Sequence, residues 1–329
     1  MPEAFQARSD LGYQLAHIGK WHLSHISDGP GAPNRAGWPY FAGPITGGAV
    51  SDYFSYAKNV NGRVSRSTTY ATTDQVNDAL AVISGAAAAG WPYFITLAFN
   101  APHGPYHKPP NELHIYDFLP PITPNANARP YYEAMIQAMD TEIGRLLAQL
   151  NLATTTVIFI GDNGTPARVL AAPYSHGKSS IYETGIRVPL LIAGSGVANP
   201  GRISNALVNS VDLYTTILAL AGIDVSAVVP PGVKIDGVNL VPILADVPTA
   251  NSRQFAYADR FIQVYNQKYQ RAIRNQSYKL VERPGRRQFF NLDSDPFETT
   301  DLLARVLTPG ESQSFISLSN ALSSLLASP

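Results

Sequence analysis

Cysteine is missing from this chain of 329 residues. Its absence excludes disulfides, thiolate metal ligands and a cysteine nucleophile from the chain. It does not indicate a compartment, because a protein without cysteine fits either redox environment. An excess of charge is missing as well, since Lys plus Arg and Asp plus Glu both number 24. Proteins that hold nucleic acid through many phosphate contacts are usually basic, so we expect no nucleic-acid partner.

Long apolar runs and a visible leader are also missing. No run approaches the roughly 18 apolar residues of a membrane-spanning helix, so no membrane partner is expected. The first residues, Met1 to Phe5, show neither the basic nor the apolar region of a signal peptide, and the localisation is left unassigned. Hydrophobic residues make up 45% of the chain, a value that predicts an ordinary globular core.

The first 250 residues alternate between short apolar runs and segments with helical spacing. This alternation predicts an α/β fold, a mainly parallel sheet flanked by helices. Residues 24–70 are rich in Gly, Pro, Ser and Tyr and are predicted to be loops. The predicted strands span 92–99, 155–160 and 188–193, and the predicted helices span 74–89, 131–150 and 210–221.

The sequence pattern changes near residue 255, where short predicted strands mix polar and apolar residues. They predict a small C-terminal antiparallel α+β subdomain, so the predicted domains are residues 1–250 and 251–329. The predicted elements are strands at 255–265, 269–274, 278–282 and 287–291, followed by a helix near 312–327.

Lys20 and His22 lie two residues apart, on either side of Trp21 and directly after Gly19. In an extended segment, residues i and i+2 face the same side, so both polar side chains can enter one pocket while Trp21 packs away from it. A cation beside an imidazole suits an anionic substrate, or a nucleophile whose oxygen must be held.

Two further polar segments follow predicted strands. Asp162 and Asn163 come after an apolar run, where open α/β sheets place their ligand sites. Their oxygens suit a hard cation such as Ca²⁺ or Mg²⁺, although an Asn-Gly turn that caps a strand is the alternative interpretation. His103 also follows a strand and is a candidate acid for a leaving-group oxygen, although a lone loop histidine is often only a surface residue.

Lys178 lies in a segment that resembles a phosphate-binding loop only in part. Gly177, Lys178 and Ser179 fit that pattern, but position 172 is Ala where the pattern requires an earlier glycine. Nucleotide binding is therefore rejected.

Taken together, four segments resemble the motifs of the sulfatases, the formylglycine-dependent branch of the alkaline-phosphatase-like hydrolases. The resemblance extends over most of the chain and implies an alkaline-phosphatase-like α/β fold and hydrolysis of sulfuric esters of the arylsulfatase type. Leu15, Ser24 and Thr184 are mild departures from the family's usual residues. The four segments are residues 12–23, 99–105, 157–164 and 175–189.

The resemblance also implies roles for the catalytic candidates. Lys20 would hold the oxygen of the nucleophile, and His22 would assist the release of sulfate. His103 would protonate the leaving alcohol, and Lys178 would contact the sulfate group. The substrate would be a sulfate ester or another small anionic ester.

Asp162 and Asn163 would be metal ligands by the same resemblance, for Ca²⁺ or Mg²⁺. The family's Asp-Asp pair, which completes the metal site, is not found in the sequence, so metal affinity is expected to be weakened. The Cys-x-Pro-x-Arg or Ser-x-Pro-x-Arg signature that yields the formylglycine is not found either. We therefore expect a truncated sulfatase without formylglycine and with impaired or residual activity.

Other functions remain open at this stage. The chain could be a promiscuous phosphoesterase or carboxylesterase, since related folds cleave phosphate esters by similar electrostatics. It could also be a non-catalytic anion-binding protein, or one half of a split enzyme that needs a complementing chain. An oligomer is compatible with each of them. Family members are often periplasmic or secreted.

Overall fold

The structure is a computed structural model that describes residues 1–45, 49–121, 127–247, 253–261 and 269–327. The chain divides into two compact units. Unit one comprises Met1–Asn151 and Ile223–Pro230, and unit two comprises Leu152–Gly222 and Pro231–Pro329. The predicted domain boundary at residue 250 stays a prediction.

The secondary structure alternates between strands and helices up to residue 244 and then becomes a run of strands. The strands are β1 (Gln14–Gly19), β2 (Tyr40–Gly43), β3 (Tyr56–Val60), β4 (Arg63–Ser67), β5 (Tyr93–Ala98), β6 (Thr156–Ile160), β7 (Leu190–Gly194), β8 (Ala256–Phe261), β9 (Tyr269–Arg274), β10 (Tyr278–Arg283) and β11 (Arg286–Asn291). The helices are α1 (Pro2–Gln6), α2 (Ala32–Arg35), α3 (Ala71–Ala89), α4 (Arg129–Leu147), α5 (Glu183–Ile186), α6 (Asp212–Leu220), α7 (Val225–Val228), α8 (Val241–Leu244) and α9 (Pro309–Ala327).

Unit one is built on a mixed sheet with the strand order β4-β3-β2-β1-β5. β1 pairs in parallel with both β2 and β5, whereas β2, β3 and β4 pair antiparallel. β1 has neighbours on both sides, and its residues from Leu15 to Gly19 are buried. The prediction that residues 24–70 are loops was wrong in part. β2, β3 and β4 lie there because β2 pairs with β1, β3 with β2 and β4 with β3, which supplies each strand with a partner that its weak local pattern does not indicate.

Two long helices pack in unit one, α3 on the buried strands and α4 against α3. α3 ends at Gly90, which adopts a left-handed φ of 69° as helix C-terminal glycines commonly do. Ala79 of α3 packs with Ala16 and Ile18 of β1. α4 buries Ala134, Met135 and Ala138. The helices predicted at 74–89 and 131–150 are therefore confirmed, with starts two to three residues earlier.

Unit two contains two antiparallel sheets, β6-β7 and β11-β10-β9-β8. The predicted strands at 155–160 and 188–193 are confirmed as β6 and β7, although they pair antiparallel with each other. The four-stranded sheet confirms the expected C-terminal architecture, and residues 262–265 of its first predicted strand lie outside the described residues. α9 packs on this sheet because Leu318 and Leu322 are buried against Ile273, Leu280 and Phe289.

The predicted fold class, a mainly parallel sheet flanked by helices with a C-terminal antiparallel subdomain, is confirmed, and the first sheet is mixed because it contains both parallel and antiparallel pairs. Within the described part of the chain, none of the helices combines the length and the apolar character that a membrane crossing requires.

Candidate functional site

Lys20 leaves the end of β1 through a glycine that no other residue can replace without strain. Gly19 has a φ of 98°, and a Cβ at this position would lie 2.0 Å from the carbonyl oxygen of Ala98. The close approach allows the Lys20 N–H to donate to that same oxygen at 2.7 Å. Lys20 is half-buried and His22 is exposed. The glycine thus sets where the chain turns and presents Lys20 beside the end of β5.

Trp21 anchors the turn by packing into the core of unit one. Its side chain is only 2% exposed, and its ring packs edge-on against His17 and Phe41, at centroid distances of 5.2 and 5.9 Å. The indole N–H donates to the Ser24 hydroxyl at 2.8 Å. Trp21 therefore holds the segment between Lys20 and His22 by burial and by one hydrogen bond.

His17 is a residue that the sequence interpretation missed. It lies in β1, is 7% exposed, and donates from Nε2 to the carbonyl oxygen of Lys20 at 2.9 Å. Burial lowers the pKa of His17, whereas its bond to the Lys20 carbonyl acts in the opposite direction. The ring is therefore neutral at pH 7 and fixes the carbonyl of Lys20. The sequence signal that could have revealed His17 was a single histidine between apolar neighbours in a central strand.

His103 lies on a loop that follows β5 and is fixed through its backbone. Asn100, at the start of the loop, is 2% exposed and accepts from the Gln75 amide at 2.6 Å. The carbonyl of His103 accepts from the Tyr53 hydroxyl at 2.7 Å. The imidazole is exposed, and its Nδ1–H donates to the Gly104 carbonyl at 2.7 Å. Chemistry with an ester would consequently use Nε2 of His103.

The pairing of β1 with β5 brings these two segments to the same edge of the sheet. Gly19 lies opposite Ala98 in the parallel register, so Lys20 and the loop that carries His103 both follow carboxyl ends of adjacent strands. Ligand sites in open α/β sheets occur at such edges. The catalytic roles of Lys20, His22 and His103 stay predictions.

In unit two, the segment with Asp162 and Asn163 is joined to the segment with Lys178. The N–H of Gly164 donates to the Gly185 carbonyl at 3.0 Å, and the N–H of Lys178 donates to the Thr165 carbonyl at 2.7 Å. A Cβ on Gly164 would lie 1.9 Å from the carbonyl oxygen of Thr184, so the close approach requires glycine. The two motifs, only 15 residues apart between Asn163 and Lys178, therefore form one local structure.

Residues 175–187, here called the lysine loop, have a constrained backbone. His176 and Ser179 adopt left-handed φ values of 60° and 72°, which are uncommon for residues with a Cβ. The ring of His176 stacks on Tyr182 at a centroid distance of 4.1 Å. Lys178 is half-buried between these two positions. Tertiary contacts must stabilise this conformation, because the local sequence does not favour it.

Asp162 and Asn163 offer too few ligands for a metal ion. Asp162 and Asn163 offer a carboxylate and an amide oxygen, whereas Ca²⁺ takes six to eight oxygen ligands. Across the residues that the structure describes, no group of three or more His, Cys, Asp or Glu residues could hold a metal ion. The donors at hand therefore fall short of a complete site. Metal binding by Asp162 and Asn163 stays a prediction, and no chemical step below depends on it.

The six candidate residues divide between the units. Unit one brings Lys20, His22 and His103 to one sheet edge, and unit two joins Asp162 and Asn163 to the segment of Lys178. The prediction that all six line a single cleft stays a prediction.

The Sulfatase family model matches residues 1–223, and the C-terminal model of N-sulphoglucosamine sulphohydrolase matches residues 175–319. The first match covers more than half of the chain, so the chain belongs to the sulfatase family.

Individual relatives agree with this assignment. The chain is 29% identical over 276 residues to the uncharacterized sulfatase YdeN of Escherichia coli, covering 75% of this chain and 47% of YdeN. It is 26% identical over 283 residues to human N-acetylglucosamine-6-sulfatase, covering 74% of this chain and 49% of that enzyme. The chain therefore spans about half the length of the curated relatives it matches.

Among solved structures, the protein Ps i-CgsB has a similar fold. It superimposes with a TM-score of 0.76 at 25% identity, covering 92% of this chain and 70% of that one. The same protein has been crystallised with k-i-k-neocarrahexaose. These matches confirm the family resemblance that the motifs indicated.

Proposed function

We propose that the protein binds sulfate esters of carbohydrates and takes part in hydrolysis of the ester, with weak or no turnover by this chain alone. The observation that carries the proposal is that two of the motifs are held by close backbone contacts that require a glycine. Gly19 does this for Lys20, and Gly164 does it for the segment of Asp162 and Asn163. Such contacts orient the functional side chains before a ligand arrives.

The chemistry is the cleavage of the S–O bond of a sulfate ester. Lys178 and Lys20 stabilise the negative charge on the sulfuryl oxygens and on the attacking oxygen. His103 donates a proton from Nε2 to the oxygen of the leaving alcohol, and His22 assists the departure of sulfate. Water attacks sulfur, supplies the oxygen atom that replaces the alcohol, and releases its proton to the solvent. The motifs of this sequence contain no residue that would first form a covalent bond to sulfur.

The carbohydrate character of the substrate is inferred from the relatives. Human N-acetylglucosamine-6-sulfatase is named for a sulfated sugar, and Ps i-CgsB was crystallised with a neocarrahexaose. Both are similar to this chain over most of its length. A sulfated sugar residue is therefore the substrate class that we propose.

Weak turnover is expected for two reasons. The sequence contains no cysteine and no serine in a Ser-x-Pro-x-Arg context, so it carries no residue that is convertible to formylglycine in the expected pattern. Without a covalent nucleophile, sulfate transfer is not divided into two easier steps. In addition, Asp162 and Asn163 alone would bind a cation weakly.

The test is the release of product from an aryl sulfate by the purified chain, with and without Ca²⁺. We expect turnover close to the rate without protein, limited to activated esters. Asp162→Ala and His103→Ala serve as site variants, and Lys234→Gln, which removes an exposed charge outside the motifs, serves as the control. Robust turnover that depends on Ca²⁺ and is lost in both site variants would contradict the expectation of an impaired enzyme.

A non-catalytic anion-binding protein is the second candidate, because the described donors do not complete a metal site. Binding of inorganic sulfate, measured by titration, distinguishes an anion-binding protein from a protein with an unrelated function. We expect Lys178→Met to weaken sulfate binding about tenfold or more, whereas Lys234→Gln leaves it unchanged. Equal sulfate binding by the wild-type protein and Lys178→Met would overturn both candidates.

A further inference from the structure

Four charged side chains lie together in unit two, three of them buried and the fourth partly buried, and one of them belongs to the motif segment that carries Lys178. Lys279 is 0% exposed and Glu183 and Glu298 are 5% and 7% exposed. Arg274 completes the group with a side chain that is 18% exposed. We call Glu183, Arg274, Lys279 and Glu298 the charge cluster. Burying four charges costs free energy unless each is paired, so their geometry must compensate.

The contacts between oppositely charged groups of the charge cluster are short. The ammonium of Lys279 lies 3.0 Å from Oε1 of Glu183 and 2.8 Å from Oε1 of Glu298. Arg274 contacts the other carboxylate oxygen of Glu183, Oε2, at 2.6 Å. Two positive and two negative charges therefore balance within the cluster. Glu298 adopts a left-handed φ of 56°, an uncommon backbone conformation that its partners must stabilise.

The charge cluster connects the antiparallel sheet to the lysine loop. Arg274 ends β9, Lys279 lies in β10, and Glu298 follows β11, whereas Glu183 belongs to the lysine loop. Glu298 also accepts a hydrogen bond from the backbone N–H of Glu183, with an N···O distance of 2.5 Å. The sheet thus contacts both the side chain and the backbone of Glu183.

Tyr182, the neighbouring residue of the lysine loop, is held by the same sheet. Its hydroxyl donates to the Gln288 side chain at 2.6 Å and accepts from the Arg283 guanidinium at 2.8 Å. The start of the lysine loop is held through the same residue, because the ring of His176 stacks on the Tyr182 ring. Lys178 lies between His176 and Tyr182, five residues before Glu183.

We infer that the charge cluster is a positioning device that holds the lysine loop and thereby sets the location of Lys178 for binding of the substrate's sulfate group. The inference rests on the proposed function, since it takes Lys178 as the residue that contacts sulfate. Glu183, Arg274, Lys279 and Glu298 are positioning residues, because none of them needs to touch the substrate. A buried ion pair suits this purpose, since its hydrogen bonds are directional whereas apolar packing is not.

The experiment compares amide hydrogen exchange and sulfate binding in matched variants of the full chain. Glu183→Gln removes one charge of the cluster and keeps its shape. Lys279→Met with Glu298→Gln removes a balanced pair, so the remaining charges still compensate. Glu311→Gln is the matched control, because Glu311 is also a buried partner of an arginine in unit two but contacts Arg305, outside the lysine loop.

We expect exchange at residues 176–187 to rise about tenfold or more in Glu183→Gln and in the double variant, while exchange in β6 stays unchanged. In Glu311→Gln, exchange in the lysine loop should remain as in the wild-type protein. Affinity for inorganic sulfate should fall about tenfold in Glu183→Gln. The loss should disappear when Lys178 is already Met, because the cluster acts through Lys178.

Three results would overturn the inference. Unchanged exchange in the lysine loop of both cluster variants would show that the charge cluster does not hold it. A loosened loop with unchanged sulfate affinity, in a protein where Lys178→Met abolishes binding, would show that the cluster does not position Lys178. Equal binding by Lys178→Met and the wild-type protein would overturn the proposed function and the role of Lys178, whereas the exchange data would still decide whether the cluster holds the loop.

Discussion

His17 illustrates how one residue outside a motif can determine the geometry of a motif residue. Its neutral ring is enclosed by Trp21, Trp38 and Phe41, with centroid distances between 5.2 and 5.8 Å. Protonation would place a charge among these apolar rings. A lowered pKa in the folded state means that the unfolded chain binds a proton more tightly.

The direction of the His17 pKa shift determines how the stability depends on pH. The contribution of His17 to the free energy of unfolding is fully present above its ordinary pKa of 6.5 and is lost as the pH falls below that value. We expect His17→Gln to lose about 1–3 kcal/mol at pH 7.5 and to show a smaller further loss on acidification. Urea unfolding followed by tryptophan fluorescence from about pH 7.5 to 5 measures both effects. Parallel pH profiles of the two proteins would contradict the assignment.

Gly19 and Gly12 flank β1 and provide a matched pair of substitutions. Both have positive φ, but a Cβ at Gly19 would clash with a carbonyl oxygen, whereas nothing lies within 4 Å of a Cβ at Gly12. Gly12→Ala should cost about 1–2 kcal/mol from backbone strain alone. Gly19→Ala should cost about 4 kcal/mol or more, because the backbone of β5 must also move. Thermal unfolding of both variants tests the difference, and equal losses would contradict the proposed close approach.

At the scale of elements, the start of α9 has a reciprocal cap. The Thr308 N–H donates to the Glu311 carboxylate at 2.8 Å, and the Glu311 N–H donates to the Thr308 hydroxyl at 3.4 Å, with Pro309 at the first helical position. This is the capping-box arrangement of a helix N-terminus. The helix then packs Leu318 and Leu322 on the antiparallel sheet. Its start therefore decides the register in which these side chains meet the sheet.

Glu311 also predicts an acid-sensitive step in stability. Its hydrogen bond with Arg305, followed by the bond from the Thr308 N–H, lowers the pKa of Glu311 from 4.5 to about 2. The stabilisation is present above pH 4.5 and is lost as the pH falls through about 2. In Glu311→Gln, stability at pH 7 should be lower and its decline over that window should be smaller. Chemical unfolding at graded pH measures this, and an unchanged decline would exclude Glu311 as a contributor.

At the scale of the whole molecule, charge balance has consequences for association. The formal net charge is zero at pH 7 with neutral histidines, and the chain contains seven histidines. Proteins without net charge repel each other weakly and associate more readily. Acidification from about pH 7.5 to 6 adds positive charge, because histidine is the side chain type whose charge changes in this pH range.

We therefore expect self-association of the purified chain to be greatest near neutral pH and to decrease as the pH falls to about 6. Light scattering at low ionic strength measures the effect. Added salt should reduce the difference between the two pH values, since it screens the repulsion. Association that does not change with pH would point instead to contacts between apolar surfaces, such as those around the exposed Trp91 and Phe118.

Much of the architecture could be predicted from local patterns. Apolar runs predicted β5, β6 and β7, and helical spacing predicted α3 and α4, because these elements bury one face or both and their composition reflects it. The strands β2, β3 and β4 were missed. β2 pairs with β1, which no local pattern indicates, whereas β3 and β4 form a hairpin across Asn61 and Gly62, a turn signal that the interpretation of this segment as loops passed over. At the candidate site, the motifs indicated Lys20, His103 and Lys178, whose roles stay predictions, and Lys20 and the loop of His103 follow strand ends.

The sequence by itself determined the family and the motif residues, because the spacing of each motif is local and a glycine marks each close approach. Only the tertiary structure decided which distant residues support them. His17 meets the Lys20 carbonyl because β1 turns back at Gly19, and Glu183 meets Lys279 across 96 positions of sequence. No local pattern encodes such a pairing, since a buried charge finds its partner only when separate elements pack together.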